Sequence, residues 1–208
     1  VWQVNAHAVR ELAAQAHAVG CMLVHYSSDY VFDGSGTQAW REEDAPHPLS
    51  VYGQSKLAGE QAIASQHDRA VVLRTSWVVG AHGGNFVKTM LRLAQERDHL
   101  SVVSDQHGAP TSASWLADLS THLVRQAQRA SKSFPYGLYH ATASGATDWH
   151  AYACHVIERA RAAGRPIRVA PEAIQPITSD QYHTAARRPL NSRLDTGLLQ
   201  ATFGWQPP

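Results

Sequence analysis

Apolar positions along the chain alternate between two spacings. Val4 to Val19 is Ala-rich and amphipathic at helical spacing, and Gly20 follows as a stop, which predicts a first helix. Cys21-Met22-Leu23-Val24-His25-Tyr26 is a short continuous apolar run bounded by Gly20 and Ser27-Ser28, the pattern of a strand covered on both faces. Asp33 to Pro48 is rich in Gly, Pro and acidic residues and reads as a surface loop. Ser50 is a candidate N-cap for a helix over Val51–Ser65, and Ala70–Thr75 reads as a second buried strand. A helix over Phe86–Arg97, a strand over Leu100–Val103, a Ser112-capped helix to about Ala130 and a strand over Gly137–Ala141 continue the alternation. Thr147 or Asp148 can cap a helix that stops at Gly164, and Ile167-Arg168-Val169 suits one more short strand. From Pro171 the chain is irregular, with a late apolar cluster of Leu194, Leu198, Leu199, Phe203 and Trp205. Helices alternating with buried strands predict an α/β protein with a parallel sheet.

At 208 residues, 44% of them hydrophobic and 17% charged, the chain can bury a sizeable core. That length suits one domain with a small second lobe. A net charge of +1 without a basic stripe gives no support for a nucleic-acid partner. Two cysteines, Cys21 and Cys154, make no disulfide framework and fit a reducing compartment, so a cytoplasmic location is expected. No apolar run approaches the roughly 18 residues that span a bilayer, so no membrane partner is expected. Val1-Trp2-Gln3 does not resemble a secretory leader, and it leads at once into helical sequence without an initiator Met.

The strongest local chemistry is Tyr52-Gly53-Gln54-Ser55-Lys56. On a helix, positions i and i+4 share one face, and an ammonium there is expected to lower the phenol from its usual pKa of about 10. Such a Tyr can exchange a proton with a carbonyl or alcohol oxygen near neutral pH, and the Lys can hydrogen-bond a cofactor ribose. Taken alone, the same pattern equally describes a surface helix. Ser27-Ser28 changes the weighting. It ends an apolar strand, and ligands of open parallel sheets bind beyond the carboxyl ends of strands. A strand-end hydroxyl 24 residues before Tyr-x-x-x-Lys is more specific than either part.

With these residues the chain resembles the extended short-chain dehydrogenases/reductases, and within them the dTDP-4-dehydrorhamnose reductase family. The resemblance is carried by Val24–Gly34, Pro48–Glu60, Arg74-Thr75-Ser76-Trp77, Asn85–Leu91, Asp105–Thr111 and Arg188–Leu194, six collinear segments between about Asn5 and Leu198. It implies a Rossmann-like, doubly wound parallel sheet lacking its N-terminal part, with a small C-terminal substrate-binding lobe. Residues 1–141 would be mostly sheet core and 142–208 mostly that lobe.

The resemblance also implies roles. Ser28, where the family usually has Thr, would polarise the C4 ketone of a dTDP-sugar. Tyr52 would be the general acid, and Lys56 its electrostatic partner and a ribose ligand. Tyr26 would lie by the cofactor. Asp29 and Trp77 match positions beside the sugar, and Asn85 and Arg188 are candidates for the diphosphate. The cofactor expected is NADPH, with NADH as the alternative, Mg²⁺ accompanies some relatives, and a homodimer is the candidate assembly. The implied reaction is NADPH-dependent reduction of dTDP-4-dehydro-6-deoxy-L-mannose to dTDP-L-rhamnose.

Dinucleotide-binding folds carry a glycine-rich turn after their first strand. Gly34-Ser35-Gly36-Thr37-Gln38-Ala39 fits that pattern as letters, but the polar Trp40–Pro46 follows it in place of a packed helix. The motif is therefore rejected, and the first three strands of the fold are expected to precede Asn5. Thirteen His include no H-E-x-x-H, and Cys154-His155 is isolated, so no protein-ligated metal is expected. Two rivals remain. A nucleotide-sugar 4,6-dehydratase or epimerase shares the scaffold, but the dehydratase Asp-Glu pair is replaced here by Asp29-Tyr30. A non-catalytic regulatory subunit of methionine adenosyltransferase would share much of the Asp29–Gly34 stretch.

Overall fold

The structure, a computed structural model, describes residues 1–130, 133–182 and 187–208. A π-helical turn, Gln3–His7, runs into α1, Ala8–Ala18. Gly20 takes φ +68°, and Cys21 N–H donates to Ala16 O at 3.0 Å in the 6→1 pattern that closes a helix. Cys21 is thereby spent on the cap, so β1 spans Leu23–Ser28 and carries both serines inside the strand. The strand expected at Cys21–Tyr26 is shifted two residues along.

Then come α2 (Val51–Gln66, capped by Ser50), β2 (Ala70–Thr75), β3 (Val78–Val79), α3 (Phe86–Glu96) and β4 (Leu100–Val103). They are followed by β5 (His107–Gly108), β6 (Thr111–Ser112), α4 (Ala113–Arg129), β7 (Gly137–His140) and β8 (Thr147–Asp148). The last elements are α5 (Trp149–Ala162), β9 (Ile174–Ile177) and α6 (Gly197–Phe203). Among the described residues no helix is long and apolar enough to cross a membrane.

β1, β2 and β7 form one parallel sheet in that order, with Tyr26 opposite Leu73 and Leu73 opposite Tyr139. Every residue of central β2 is buried. Helices cover both faces. On one, Val9 and Ala13 of α1 and Ile63 of α2 pack on Ala70 and Val72. On the other, Leu116, Leu119 and Leu123 of α4 and Leu199 and Phe203 of α6 pack on Val71, Leu73 and Tyr139. Each fully buried Leu contributes on the order of 1.5–3 kcal/mol. A parallel sheet with helices on both faces is the doubly wound, Rossmann-like arrangement that was expected.

A second core joins Ala94 of α3, Leu100 and Val102 of β4, Ala153 and Ile157 of α5, Val169 and Ile174. It therefore draws on segments both before and after the sheet's last strand. The strand expected at Ile167–Val169 does not form. Arg168 and Val169 N–H both donate to Ala94 O, which plugs Val169 into this core, and the strand is β9 instead. Among the described residues β9 pairs only with β4, so Pro176 sits where its missing N–H is tolerated. Of the late apolar cluster, Leu199, Phe203 and Trp205 join the sheet core and Leu194 packs with Phe32, while Leu198 is exposed. Gly34–Ala39 lies in irregular chain with no helix after it, in keeping with the rejection of that motif.

Candidate active site

Two hollows adjoin at Trp149, the smaller of them open at the carboxyl ends of β1 and β2. The smaller, about 400 Å³, is lined by Ser28, Asp29, Tyr52, Ser76, Trp77 and Trp149 among others. The larger, about 730 Å³, lies against the second core, with Phe86, Met90, Gln106, Tyr182, Arg187 and Arg188 in its wall. Trp149 lines both.

α2 delivers Tyr52 because its first turn rests directly on the turn that follows β1. A Cβ at Gly53 would lie 2.1 Å from Tyr30 O, so only glycine permits that approach. Tyr30 and Tyr52 meet edge to face, with ring centroids 5.7 Å apart. A buried bidentate pair clamps the middle of the helix to the sheet, Arg74 Nε and Nη2 donating to Glu60 Oε1 and Oε2 at 3.0 and 2.7 Å. Arg74 also lies 4.9 Å from the centroid of the Phe32 ring.

Ser28 caps the 3₁₀ turn Asp29–Val31. Its Oγ accepts from Tyr30 N at 3.1 Å and donates to Asp29 Oδ1 at 3.0 Å. Burial is the main influence on the Tyr52 phenol and raises its pKa; the Ser28 hydroxyl lowers it, and the Asp29 carboxylate adds to the rise. This overturns the expectation that Lys56 depresses the phenol. The Lys56 ammonium is buried and turned to the strand, donating to Tyr26 O at 2.5 Å, with His25 Nε2 at 3.4 Å. Burial lowers the Lys56 pKa, with Glu60 opposing, and His25 is pushed down to about 4 by burial and then by Lys56. The i,i+4 spacing fixes which helix face Lys56 leaves from, but the buried carbonyl decides where its long chain ends.

Asp29 is 2% exposed, and burial raises its pKa to about 6 against the pull of Ser192, Ser28 and nearby backbone N–H groups. Among the described residues its Oδ2 has no hydrogen-bond partner, nor do Ser27 Oγ, Thr75 Oγ1 and Ser76 Oγ, all from residues that line the same hollow. Buried polar atoms are overwhelmingly paired in folded proteins, so four unpaired oxygens at two strand ends suit a polar ligand.

Trp77 is the only described non-glycine residue with positive φ, +48°. Its ring stacks on Trp149 at 3.5 Å and 12°, and a Cβ on Gly108 would lie 2.7 Å from it. Strain of this kind costs about 1–3 kcal/mol and concentrates at working sites. A relay fixes the stack: Trp149 Nε1 donates to Gln106 Oε1 at 3.2 Å, Gln106 Nε2 to Ser179 Oγ at 2.9 Å, and Ser179 Oγ to Asp105 Oδ1 at 2.7 Å. Spacing could not reveal Trp149, Thr75 or Ser76. The nearest signal was the position of Thr75-Ser76-Trp77 at the end of a buried strand, as Ser28 is at the end of β1.

Two expected site residues, Tyr26 and Asn85, stand elsewhere, and a third, Arg188, is in the wall of the larger hollow. The Tyr26 hydroxyl reaches α4, donating to Leu116 O at 2.9 Å; only its carbonyl touches the Lys56 group. Asn85 caps α3, accepting from Lys88 N at 3.1 Å and donating to Gly80 O at 2.8 Å, and it lines neither hollow. Arg188 is exposed and lines the larger hollow, close enough to Tyr30 to lower its pKa against the dominant effect of burial.

A parallel sheet between two helical layers, with a strand-end hydroxyl facing a Tyr-x-x-x-Lys helix, is the arrangement of a Rossmann-like protein of the short-chain dehydrogenase/reductase type. Comparison with known proteins narrows this. The family model described as RmlD substrate binding domain matches residues 2–208, and the chain belongs to that family. It is 48% identical over 200 residues to a dTDP-4-dehydrorhamnose reductase of Shigella flexneri, covering 96% of this chain and 66% of that protein. Identity to a protein of that name from Escherichia coli K12 is also 48%, with the same coverage. The chain thus spans just under two thirds of the length of these curated relatives. A solved dTDP-4-dehydrorhamnose reductase from Bacillus anthracis, in complex with NADP, superimposes with a TM-score of 0.87 at 34% identity, covering 98% of this chain and 67% of that one.

Proposed function

We propose that this chain carries the reacting centre and sugar-nucleotide site of an NADPH-dependent dTDP-4-dehydrorhamnose reductase, which reduces the C4 ketone of dTDP-4-dehydro-6-deoxy-L-mannose to give dTDP-L-rhamnose. The observation that carries this reading is the hollow at the ends of β1 and β2, where the Tyr52 phenol, the Ser28 hydroxyl and unpaired oxygens of Ser27, Asp29, Thr75 and Ser76 gather. Those oxygens fit a hydroxyl-rich sugar and the carboxamide of a nicotinamide. The nicotinamide, when bound, supplies the hydride.

The residues of this chain do the rest. The Ser28 hydroxyl, rotated from Asp29, donates to the ketone oxygen. Tyr52, half-buried and protonated at neutral pH, gives its proton to that oxygen as the alkoxide forms. A phenol with a raised pKa remains a far stronger acid than an alcohol, so the transfer is downhill. Lys56, anchored to Tyr26 O, sets a positive charge behind the strand end and would be the residue to hydrogen-bond a cofactor ribose. Trp77, stacked on Trp149, presents an apolar wall to the deoxysugar face. Arg188 and Arg187 put positive charge in the wider hollow, where a diphosphate belongs, and Phe86 and Tyr182 offer rings to a base. The lobe that receives the nucleotide is the α3–β4–α5–β9 layer.

The test is NADPH oxidation by the full natural protein carrying these residues, followed at 340 nm with dTDP-4-dehydro-6-deoxy-L-mannose, with the sugar product identified by NMR. Turnover to dTDP-L-rhamnose is expected; nucleotide-sugar binding without NADPH oxidation would overturn the reading.

A further inference from the structure

We infer that His17, His67 and Asp68 bind one divalent transition ion of the Zn²⁺ type, at the end of α2 opposite Tyr52. Each residue offers a ligand atom, and the three atoms lie within 4.8 Å of one another. Ligands of tetrahedral zinc stand roughly 3.4 Å apart, given metal–ligand bonds of about 2.0–2.2 Å. His17 and Asp68 are exposed, so their side chains can close that gap by rotation. Two imidazoles and a carboxylate suit zinc, with water completing the shell.

The independent observation is His67 itself. It is 4% exposed, and its Nε2 lies 2.9 Å from Cys21 O. A carbonyl can only accept, so Nε2 carries a proton, and in the neutral ring Nδ1 then offers a bare lone pair. That Nδ1 is buried and has no hydrogen-bond partner among the described residues. Donation of one ring N–H to a backbone carbonyl, with the other nitrogen left for the ion, is how metal-bound histidines are usually oriented. The edge-on packing of the His17 and His67 rings, centroids 5.9 Å apart, brings the pair together but does not satisfy Nδ1.

The local field also favours a cation. His17 lies in the last turn of α1, and His67 is the C-cap of α2, so two helices turn their carbonyl ends this way. The neighbouring cation, Arg69, is engaged by Gly20 O at 2.6 Å and Tyr136 Oη at 3.4 Å. Sequence spacing had suggested no metal, because His17 and His67 are fifty positions apart and only the packing of α1 on α2 joins them.

The experiment titrates the metal-free full natural protein with ZnCl₂ by calorimetry, beside His17→Ala, Asp68→Asn and the double variant. Both positions are exposed, so melting temperatures without metal should match the parent. One Zn²⁺ per chain is expected, raising the parent's melting temperature, with affinity at least about tenfold weaker in each single variant and lost in the double. Long-range ¹H–¹⁵N spectra should show His67 Nδ1 shifting on Zn²⁺ addition while Nε2 keeps its proton. Absence of saturable binding, equal affinity in the double variant, or coordination through Nε2 would each overturn the assignment.

Discussion

The two adjoining hollows are built from different materials. The smaller is walled by strand ends and the first turn of α2, with Ser28, Asp29, Thr75 and Ser76 all at most 7% exposed. The larger is walled by α3, β4 and residues of the segments 179–182 and 187–190, where Arg187, Arg188 and Leu190 are exposed. Groups of the first kind have their positions over-determined by the sheet, which suits chemistry that tolerates little displacement. Groups of the second kind can adjust to a ligand, which suits recognition of a long, charged one. Trp149 belongs to both walls, so the Gln106–Ser179–Asp105 relay that fixes it couples them.

That contrast can be broken most forcefully at Tyr52. In the full natural protein, Tyr52→Phe is expected to lower kcat with dTDP-4-dehydro-6-deoxy-L-mannose by roughly a hundred- to ten-thousandfold with little change in KM. Undiminished kcat would remove the phenol from the proton path. Next in size is the clamp beneath it. Glu60→Ala strands the buried Arg74 guanidinium and should cost about 3–5 kcal/mol, read by urea unfolding. A loss under about 1 kcal/mol would mean that the pair does not hold α2 to the sheet.

Asp29 sharpens the comparison through pH. Its folded pKa is raised, to about 6 from 3.8, so the folded state binds its proton more tightly than the unfolded chain does. Its effect on stability is therefore most favourable below about pH 4, declines as pH rises through the window to about 6, and stays unfavourable above. Asp29→Asn should accordingly be more stable than the parent at pH 7, by on the order of 1–3 kcal/mol, with the advantage gone by about pH 4. A pH-independent difference between the two would reject the buried, proton-retaining carboxyl. The smallest effect is expected in the wider hollow: Arg188→Ala should raise KM for the sugar nucleotide roughly tenfold, leave kcat within about twofold, and weaken the salt dependence of KM. A fall in kcat with KM unchanged would place Arg188 at the reacting centre instead.

Much of this molecule was fixed by local rules that a sequence states openly. Apolar period and capping residues located every long helix to within a few residues, and Ser50, Ser112 and Asp148 each accept the backbone hydrogen bond expected of an N-cap. The pairing of a strand-end Ser28 with Tyr52 was equally legible, because strand ends and the first turns of following helices meet by topology. Tertiary contact decided the rest. It placed β9 at Ile174–Ile177, since a two-stranded edge accepts Pro176 and the second core needed Val169 as a plug. Asn85 went to a helix cap and the Tyr26 hydroxyl to α4, because nearby backbone partners satisfied them first. Lys56 was drawn to a carbonyl on a strand thirty residues earlier, and Trp77 was set against Trp149, seventy-two residues later. Spacing along a chain specifies direction and face over one or two turns. Where a long side chain ends, which polar atoms stay unpaired and what charge a buried group carries depend on atoms that only folding brings near.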